Sequence, residues 1–226
     1  MKTVGILGGM GPEATILLMQ KVLDAVPARD DADHVPLIVH QNPQVPSRIK
    51  ALIEGTGDDP GPVMARMAGD LEAAGAAALA MPCNTAHHYA GVVEQASDLP
   101  FLDMLKLTAE TLSRAGARRV GLLASPATRL TSVFDAPFAA HGLEPVSLSD
   151  DGELLSIIRA VKAGQDPEAL KPRLTEQANA LVREGADHLL VACTELSLLT
   201  DALPDGTPWT DSLDCLVSGI IAFARG

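Results

Sequence analysis

The chain has 226 residues, 47 % of them apolar, enough for one large domain or two domains of about 100 residues each. Its 29 acidic and 17 basic side chains give a net charge of −12 with no basic patch, which excludes nucleic acid as a partner. Three cysteines, the lack of a signal peptide and the lack of an apolar run of roughly 18 residues predict a cytoplasmic protein with reduced thiols and no membrane segment.

Short apolar segments alternate with helical patterns along the chain. In chain order, the predicted strands are 3–8, 35–40, 76–82, 100–103, 119–124, 144–147, 187–192 and 207–210. Several are apolar without alternation, which is typical of parallel strands buried on both faces. Two of the intervening helices carry a first-turn proline, Pro62 or Pro172, and end at a left-handed glycine, Gly75 or Gly185. This order predicts two α/β halves, one over 1–104 with 207–226 and one over 105–206.

Residues 71–83 and 181–193 follow the same pattern. Shifted by 110 positions, Leu71, Gly75, Ala76, Leu79 and Cys83 fall on Leu181, Gly185, Ala186, Leu189 and Cys193. A weaker repeat relates 4–7 to 120–123. The repeat predicts two halves of one design, each placing a thiol at the carboxyl end of a strand, where ligands of open α/β sheets bind.

Both repeated cysteines are followed by polar residues: Asn84 and Thr85 in one half, Thr194 and Glu195 in the other. A helix N-terminus at such a place favours a thiolate and binds carboxylates. Taken alone, each cysteine is better explained as a buried apolar residue, whereas the matched pair favours a chemical role. The third cysteine, Cys215, lies in an apolar helical pattern and is predicted to belong to the core.

The glycine-rich turn Gly9-x-Gly11-x-x-Ala14 resembles a dinucleotide-binding fingerprint. That fingerprint needs an acidic residue at the end of the second strand, and this strand ends in Gln41-Asn42 instead. We therefore predict no NAD site, and a turn that offers backbone N–H groups to a small anion.

His87 and His88 follow Cys83 at a spacing that metal sites use, but the two further ligands that zinc requires are not nearby. No metal is therefore predicted. A histidine in this first turn can orient a substrate or simply pack, and the sequence leaves both open.

Two basic residues stand in places from which they could reach such a site. Arg48 ends a proline-stiffened loop after the second strand, and Lys162 ends a predicted helix. For Lys162, the residues alone favour simple placement at a helix C-terminus.

Four segments resemble the aspartate/glutamate racemase superfamily, and its aspartate racemase branch in particular: GILGGMGPEAT (5–15), NPQVPSR (42–48), MPCNTAHH (81–88) and ACTEL (192–196). Glutamate racemases are expected to have CTH where this chain has Cys193-Thr194-Glu195. The resemblance spans nearly the whole chain. It implies two pseudo-symmetric flavodoxin-like domains with the site in the cleft between them, and a homodimer that needs no cofactor.

The resemblance also implies roles for individual residues. Cys83 and Cys193 would be the acid/base pair at the α-carbon, with Cys193 acting on the L-enantiomer and Cys83 on the D-enantiomer. The implied substrate-binding residues are Met10, Asn42, Arg48, Asn84, Thr85, Thr128, Lys162, Thr194 and Glu195. Among these, the two cations would bind a side-chain carboxylate. Aspartate is the expected substrate. Glutamate or a broader range of amino acids, a cysteine-dependent isomerase or decarboxylase of small dicarboxylates, and a non-catalytic binding module are the alternatives.

Three departures from the family pattern bear on specificity more than on reaction type. Ser125-Pro126-Ala127 precede Thr128 where the family tends to have Thr-x-Gly. This change removes a glycine that adopts positive φ easily and adds a proline that lacks an N–H donor. Phe134 stands where tyrosine is common, and Ser47 replaces a frequent aspartate beside Arg48.

Overall fold

The computed structural model describes residues 1–226 as two four-stranded, all-parallel sheets flanked by helices. The first sheet has the order β2-β1-β3-β4 and contains β1 (Val4–Gly8), β2 (Leu37–Gln41), β3 (Ala78–Ala80) and β4 (Phe101–Leu102). The second repeats it as β6-β5-β7-β8, with β5 (Arg119–Ala124), β6 (Glu144–Val146), β7 (His188–Ala192) and β8 (Trp209–Asp211). All eight predicted strands are present, so the predicted fold class is confirmed.

Nine α-helices connect and cover the sheets. They are α1 (Pro12–Asp24), α2 (Gly61–Ala73), α3 (Ala90–Gln95), α4 (Met104–Arg114), α5 (Pro126–Leu130), α6 (Asp135–His141), α7 (Gly152–Lys162), α8 (Pro167–Arg183) and α9 (Ser212–Arg225). Further helical turns of 3₁₀ or π type lie at Asp31–Asp33, Lys50–Glu54, Thr85–Tyr89 and Leu196–Ala202. None of the helices combines the length with the apolar character that crossing a membrane requires.

Two glycines, Gly5 on β1 and Gly121 on β5, have the same structural role in the two repeats. A Cβ on Gly121 would lie 2.9 Å from the Cβ of Ala186 and 3.1 Å from the Cβ of Leu181. A Cβ on Gly5 would meet the equivalent atoms of Ala76 and Leu71 at 2.9 and 3.2 Å. The missing side chain therefore lets the covering helix, α8 or α2, pack directly on its strand in each half.

The helix ends repeat as well. Gly75 has φ +93° and Gly185 has φ +91°, as predicted for residues that terminate helices. The next residue donates its N–H back to the helix in both halves, from Ala76 to the carbonyl of Leu71 and from Ala186 to the carbonyl of Leu181, each at 3.1 Å.

We expect Gly121→Ala to lower the free energy of unfolding by about 1–3 kcal/mol, because the added methyl group overpacks the contact between β5 and α8. Gly69→Ala, inside α2, is the matched control, because its Cβ would meet nothing within 4 Å. This control should raise the free energy of unfolding by about 0.5–1 kcal/mol. Urea unfolding of both variants measures the difference, and equal effects would contradict the packing role of Gly121.

One predicted helix start was wrong. Pro62 lies in the first turn of α2, but Pro172 lies inside α8, which begins five residues earlier at Pro167. Asp166 caps this start by accepting a hydrogen bond from the N–H of Glu168 at 3.1 Å. The sequence thus holds a better start signal, Asp166 followed by Pro167, upstream of Pro172.

The carboxyl-terminal segment divides between the two halves. Strand β8 pairs with β7 in the second sheet, so the predicted assignment of 207–211 to the first half is wrong. Helix α9 packs against α1 and α4, and its buried side chains join those of β1 in one core cluster. Cys215 is 4 % exposed within α9, as predicted for a core residue. The remaining domain division stays a prediction.

Candidate active site

A cavity of about 480 Å³ lies at the carboxyl ends of both sheets, and both repeated cysteines line it. Turns that follow β1, β3 and β7 form much of its wall, together with the loop 43–49 and the end of α7. Nine of the predicted site residues line this cavity: Met10, Arg48, Cys83, Asn84, Thr85, Lys162, Cys193, Thr194 and Glu195.

Two predicted substrate-binding residues, Asn42 and Thr128, are not brought to the cavity. The side-chain oxygen of Asn42 accepts the N–H of Gln44 at 3.0 Å and so stabilises its own turn. Thr128 is 2 % exposed, and its hydroxyl lies 3.3 Å from that of Thr85. Asn42 therefore stabilises the turn after β2 and Thr128 contacts the lining residue Thr85, but neither residue lines the cavity.

Three polar lining residues were missed by the sequence reasoning: Glu13, Ser47 and Ser125. Glu13 reads as an ordinary first-turn acid of α1, and Ser125 caps α5 by accepting the N–H of Ala127 at 3.3 Å. The local pattern of Glu13 is explained without a site, so no sequence signal distinguishes it. The sequence marks Ser47 and Ser125 only as departures from the family pattern.

The glycine-rich turn differs in part from its predicted role. Gly9 has φ +89° and donates its N–H to the hydroxyl of Thr15 at 2.9 Å. This N–H is therefore not free for the small anion that the turn was predicted to hold. Instead, the turn brings the main chain close to the space that a ligand would occupy, because Met10 and Gly11 line the cavity directly.

Cys193 is held as a thiol. It is 8 % exposed, and its Sγ donates to Oε2 of Glu195 at 3.0 Å. Burial raises the pKa of Cys193 well above its usual value, and the charge and hydrogen bond of Glu195 raise it further. The opposing effect of Lys162 does not reverse this direction.

We expect the rate of Cys193 alkylation by iodoacetamide to keep rising with pH beyond about 8.5, the pKa of an ordinary cysteine. The thiolate is the reacting form, and the folded site disfavours it. Mass spectrometry of the Cys193 peptide at several pH values measures the rate, with the unfolded chain as control. If the alkylation rate of the folded protein levelled off at a lower pH than that of the unfolded chain, the raised pKa of Cys193 would be contradicted.

Lys162 and Glu195 form an ion pair inside the cavity, between the Nζ of Lys162 and Oε1 of Glu195. The Glu195 side chain is 7 % exposed and that of Lys162 34 %. Burial by itself lowers the pKa of Lys162, but the charge and hydrogen bond of Glu195 outweigh it, so the pKa lies above its usual value. One carboxylate thus contacts both the thiol of Cys193 and the ammonium group.

Cys83 is positioned by a buried histidine. Nδ1 of His87 bonds the carbonyl of Cys83 at 2.8 Å, and its Nε2 accepts the N–H of Met104 at 3.2 Å. Since Nε2 accepts, the ring proton sits on Nδ1. Burial lowers the pKa of His87, so the ring is neutral. Of the two roles that the sequence left open, His87 therefore has the packing role, and it fixes the turn of Cys83.

A hydrogen-bond chain joins the two cysteine turns. Asn84 Nδ2 donates to the hydroxyl of Ser212 at 2.9 Å, and Ser212 donates to the carbonyl of Val191 at 3.0 Å. Asn84 follows Cys83, and Val191 lies two residues before Cys193. The Oδ1 of Asn84 is buried and accepts no hydrogen bond within the protein.

Arg48 carries the cavity's second positive charge. Its Nη1 donates to the carbonyls of Val45 at 3.2 Å and Pro46 at 2.7 Å, while its Nε is buried without a partner. No carboxylate forms an ion pair with it, in contrast to Lys162. The backbone therefore aims the guanidinium and leaves its charge for a ligand.

Known proteins resemble this chain in sequence and in fold. The chain is 26 % identical to the broad specificity amino-acid racemase RacX of Bacillus subtilis (strain 168) over 97 % of this chain and 96 % of that protein. The Picrophilus torridus aspartate racemase matches at 30 % identity with a TM-score of 0.89, over 100 % of this chain and 95 % of that one. A glutamate racemase from Francisella tularensis shares the fold, with a TM-score of 0.70 at 15 % identity over 99 % and 81 %.

These neighbours confirm that the two parallel sheets are the paired α/β domains of racemase structures. A model of the Asp/Glu/hydantoin racemase family matches residues 7–220, which include both cysteine turns and every residue that lines the cavity. The chain therefore belongs to the Asp/Glu/hydantoin racemase family.

Proposed function

We propose that the protein is a cofactor-independent amino-acid racemase in which Cys83 and Cys193 exchange the proton of the α-carbon. The observation that carries this proposal is that two thiols from two repeated halves line one cavity. A substrate between them presents opposite faces of its α-carbon to the two sulfurs. The resemblance to aspartate racemases makes aspartate the first substrate to test, and the name of the Bacillus relative supports a wider range.

In the proposed reaction one thiolate removes the α-proton and leaves the C–H electron pair on the α-carbon. The opposite thiol then gives its proton to the other face and becomes a thiolate. The α-carboxylate becomes enolate-like in between, so donors that contact it lower the barrier. Thr85, Thr194 and Asn84 line the cavity and are the proposed partners of the α-carboxylate and the α-amino group.

The environment of Cys193 supports a direction for the first step. Cys193, which holds its proton, is suited to act as the acid, and Cys83 is then the base of that turnover. The resemblance assigns Cys83 to the D-enantiomer. A turnover in which Cys193 is the acid therefore starts from the D-enantiomer, and the reverse turnover starts from the L-enantiomer.

The decisive experiment incubates the protein with single L- and D-amino acids in deuterated water without added cofactor, followed by chiral chromatography and mass spectrometry. We expect each enantiomer of aspartate to yield the other, with deuterium at the α-carbon of the product. Loss of carbon dioxide or a rearranged dicarboxylate would favour the decarboxylase or isomerase alternative. Absence of turnover with every amino acid would favour a binding module. The homodimer stays a prediction, which light scattering can test.

A further inference from the structure

The cavity holds its own carboxylate at the place where the substrate's side-chain carboxylate was expected. The sequence resemblance pairs Lys162 with that substrate group, but Lys162 is already paired with Glu195. The carboxylates and cations that line the cavity are Glu13, Arg48, Lys162 and Glu195, so their formal charges cancel. An acidic side chain entering this cavity therefore finds one unpaired cation, Arg48, and not two.

We propose that Glu195 determines the specificity of the site: by neutralising Lys162 it admits amino acids with uncharged side chains as well as acidic ones. The inference rests on the proposed function, because it names the substrate class of the same cavity. It goes beyond that proposal by assigning the breadth of the substrate range to one residue.

The position of Glu195 is fixed rather than adaptable. It follows Cys193 in the turn after β7, and its two oxygens have separate partners, the Cys193 thiol and the Lys162 ammonium group. A Cβ built on Gly11 would lie 3.3 Å from Oε1 of Glu195 and 3.5 Å from Nζ of Lys162, so this pair packs directly against the glycine-rich turn. A substrate carboxylate can replace Glu195 at Lys162 only by leaving a buried carboxylate without its counter-ion, which is unfavourable.

The test measures binding of L-aspartate and its uncharged isostere L-asparagine by calorimetry. The protein carries Cys83→Ser and Cys193→Ser so that neither ligand is converted. With Glu195 intact, we expect the two affinities to differ by about tenfold or less, because only Arg48 favours the charged ligand. Adding Glu195→Gln frees Lys162. The affinity for aspartate should then rise about tenfold or more, while that for asparagine changes by less than about threefold.

Two further variants separate the ion pair from a general charge effect. Glu13→Gln removes the same charge from the same cavity wall, but at an exposed side chain with no hydrogen bond to Lys162 or Cys193. Its effect on the aspartate-to-asparagine ratio should be under about threefold, because solvent screens an exposed charge. Lys162→Gln with Glu195→Gln removes both partners and should restore the original ratio. This double variant also tests the inference if Glu195→Gln alone fails to fold, because it leaves no unpaired charge.

A ratio that Glu195→Gln leaves unchanged, or a double variant that behaves like Glu195→Gln alone, would overturn the inference. So would a preference for aspartate above about 100-fold with Glu195 intact, since a balanced cavity gives no such preference. The result does not depend on racemisation. A shifted ratio without turnover in the unaltered protein refutes the proposed function alone, and racemisation with an unshifted ratio refutes this inference alone.

Discussion

Replacing either cavity cysteine by alanine is expected to reduce racemisation by about 10²–10⁴-fold or more, because each variant lacks the acid or the base on one face of the α-carbon. Chiral chromatography of L- and D-aspartate after incubation with Cys83→Ala and Cys193→Ala measures the loss. Circular dichroism and urea unfolding establish that both variants remain folded. Racemisation at the original rate by either variant would refute the two-thiol reaction.

The single-thiol variants should not be equal in every assay. Cys193→Ala retains Cys83, which can still remove and return a proton on its own face. In deuterated water this variant should therefore incorporate deuterium into one enantiomer without forming the other. Cys215→Ala is the matched control, since Cys215 is buried in α9 and does not line the cavity. It should lose about 1 kcal/mol of stability or less and keep its activity.

Gly9→Ala is expected to lower the free energy of unfolding by about 2–5 kcal/mol, the sum of a left-handed backbone and an overpacked contact. A Cβ at this position would lie 2.4 Å from the backbone carbon and 2.5 Å from the backbone oxygen of Asn42. Neither atom can rotate away, because both belong to the main chain. The turn that carries Met10 and Gly11 would have to move, so racemase activity should fall with stability.

Gly75→Ala provides the comparison for Gly9→Ala. Gly75 has a nearly identical φ of +93°, but its Cβ would meet nothing within 4 Å. Only the backbone cost remains, so the free energy of unfolding should fall by about 1–2 kcal/mol and activity should be retained. Parallel urea titrations of both variants separate the steric contribution from the conformational one. Equal losses would show that the contact with Asn42 is unimportant.

Local patterns in the sequence were sufficient for most of the fold. Buried parallel strands are apolar on both faces, and left-handed glycines such as Gly75 end helices by their own conformational preference, so both can be recognised without tertiary information. The start of α8 was misplaced because two prolines compete there and only one follows a capping aspartate. The sheet to which β8 belongs depends on which strand offers a free edge, and no local pattern records that.

The cysteines of the site could be predicted because the repeat marks them twice. Side-chain direction could not be predicted in the same way. Thr128 faces Thr85 from 43 positions away, and Lys162 meets Glu195 across 33. Such pairings arise from the packing of separate helices and turns, so the sequence identified the participants without showing that one cavity residue neutralises another.

Helix α9 belongs to one repeat by sequence and packs on the other. Leu213, Leu216 and Ile220 fill the core beside β1, and Ser212 links the turns of both thiols. A gene that encoded only one repeat would produce a chain with an uncovered apolar face and only one of the two cavity thiols. If the two repeats were separate chains, the fraction of molecules with both thiols in one cavity would depend on protein concentration. In a single covalent chain the relative position of the two sulfurs is set within the molecule, so dilution does not change it.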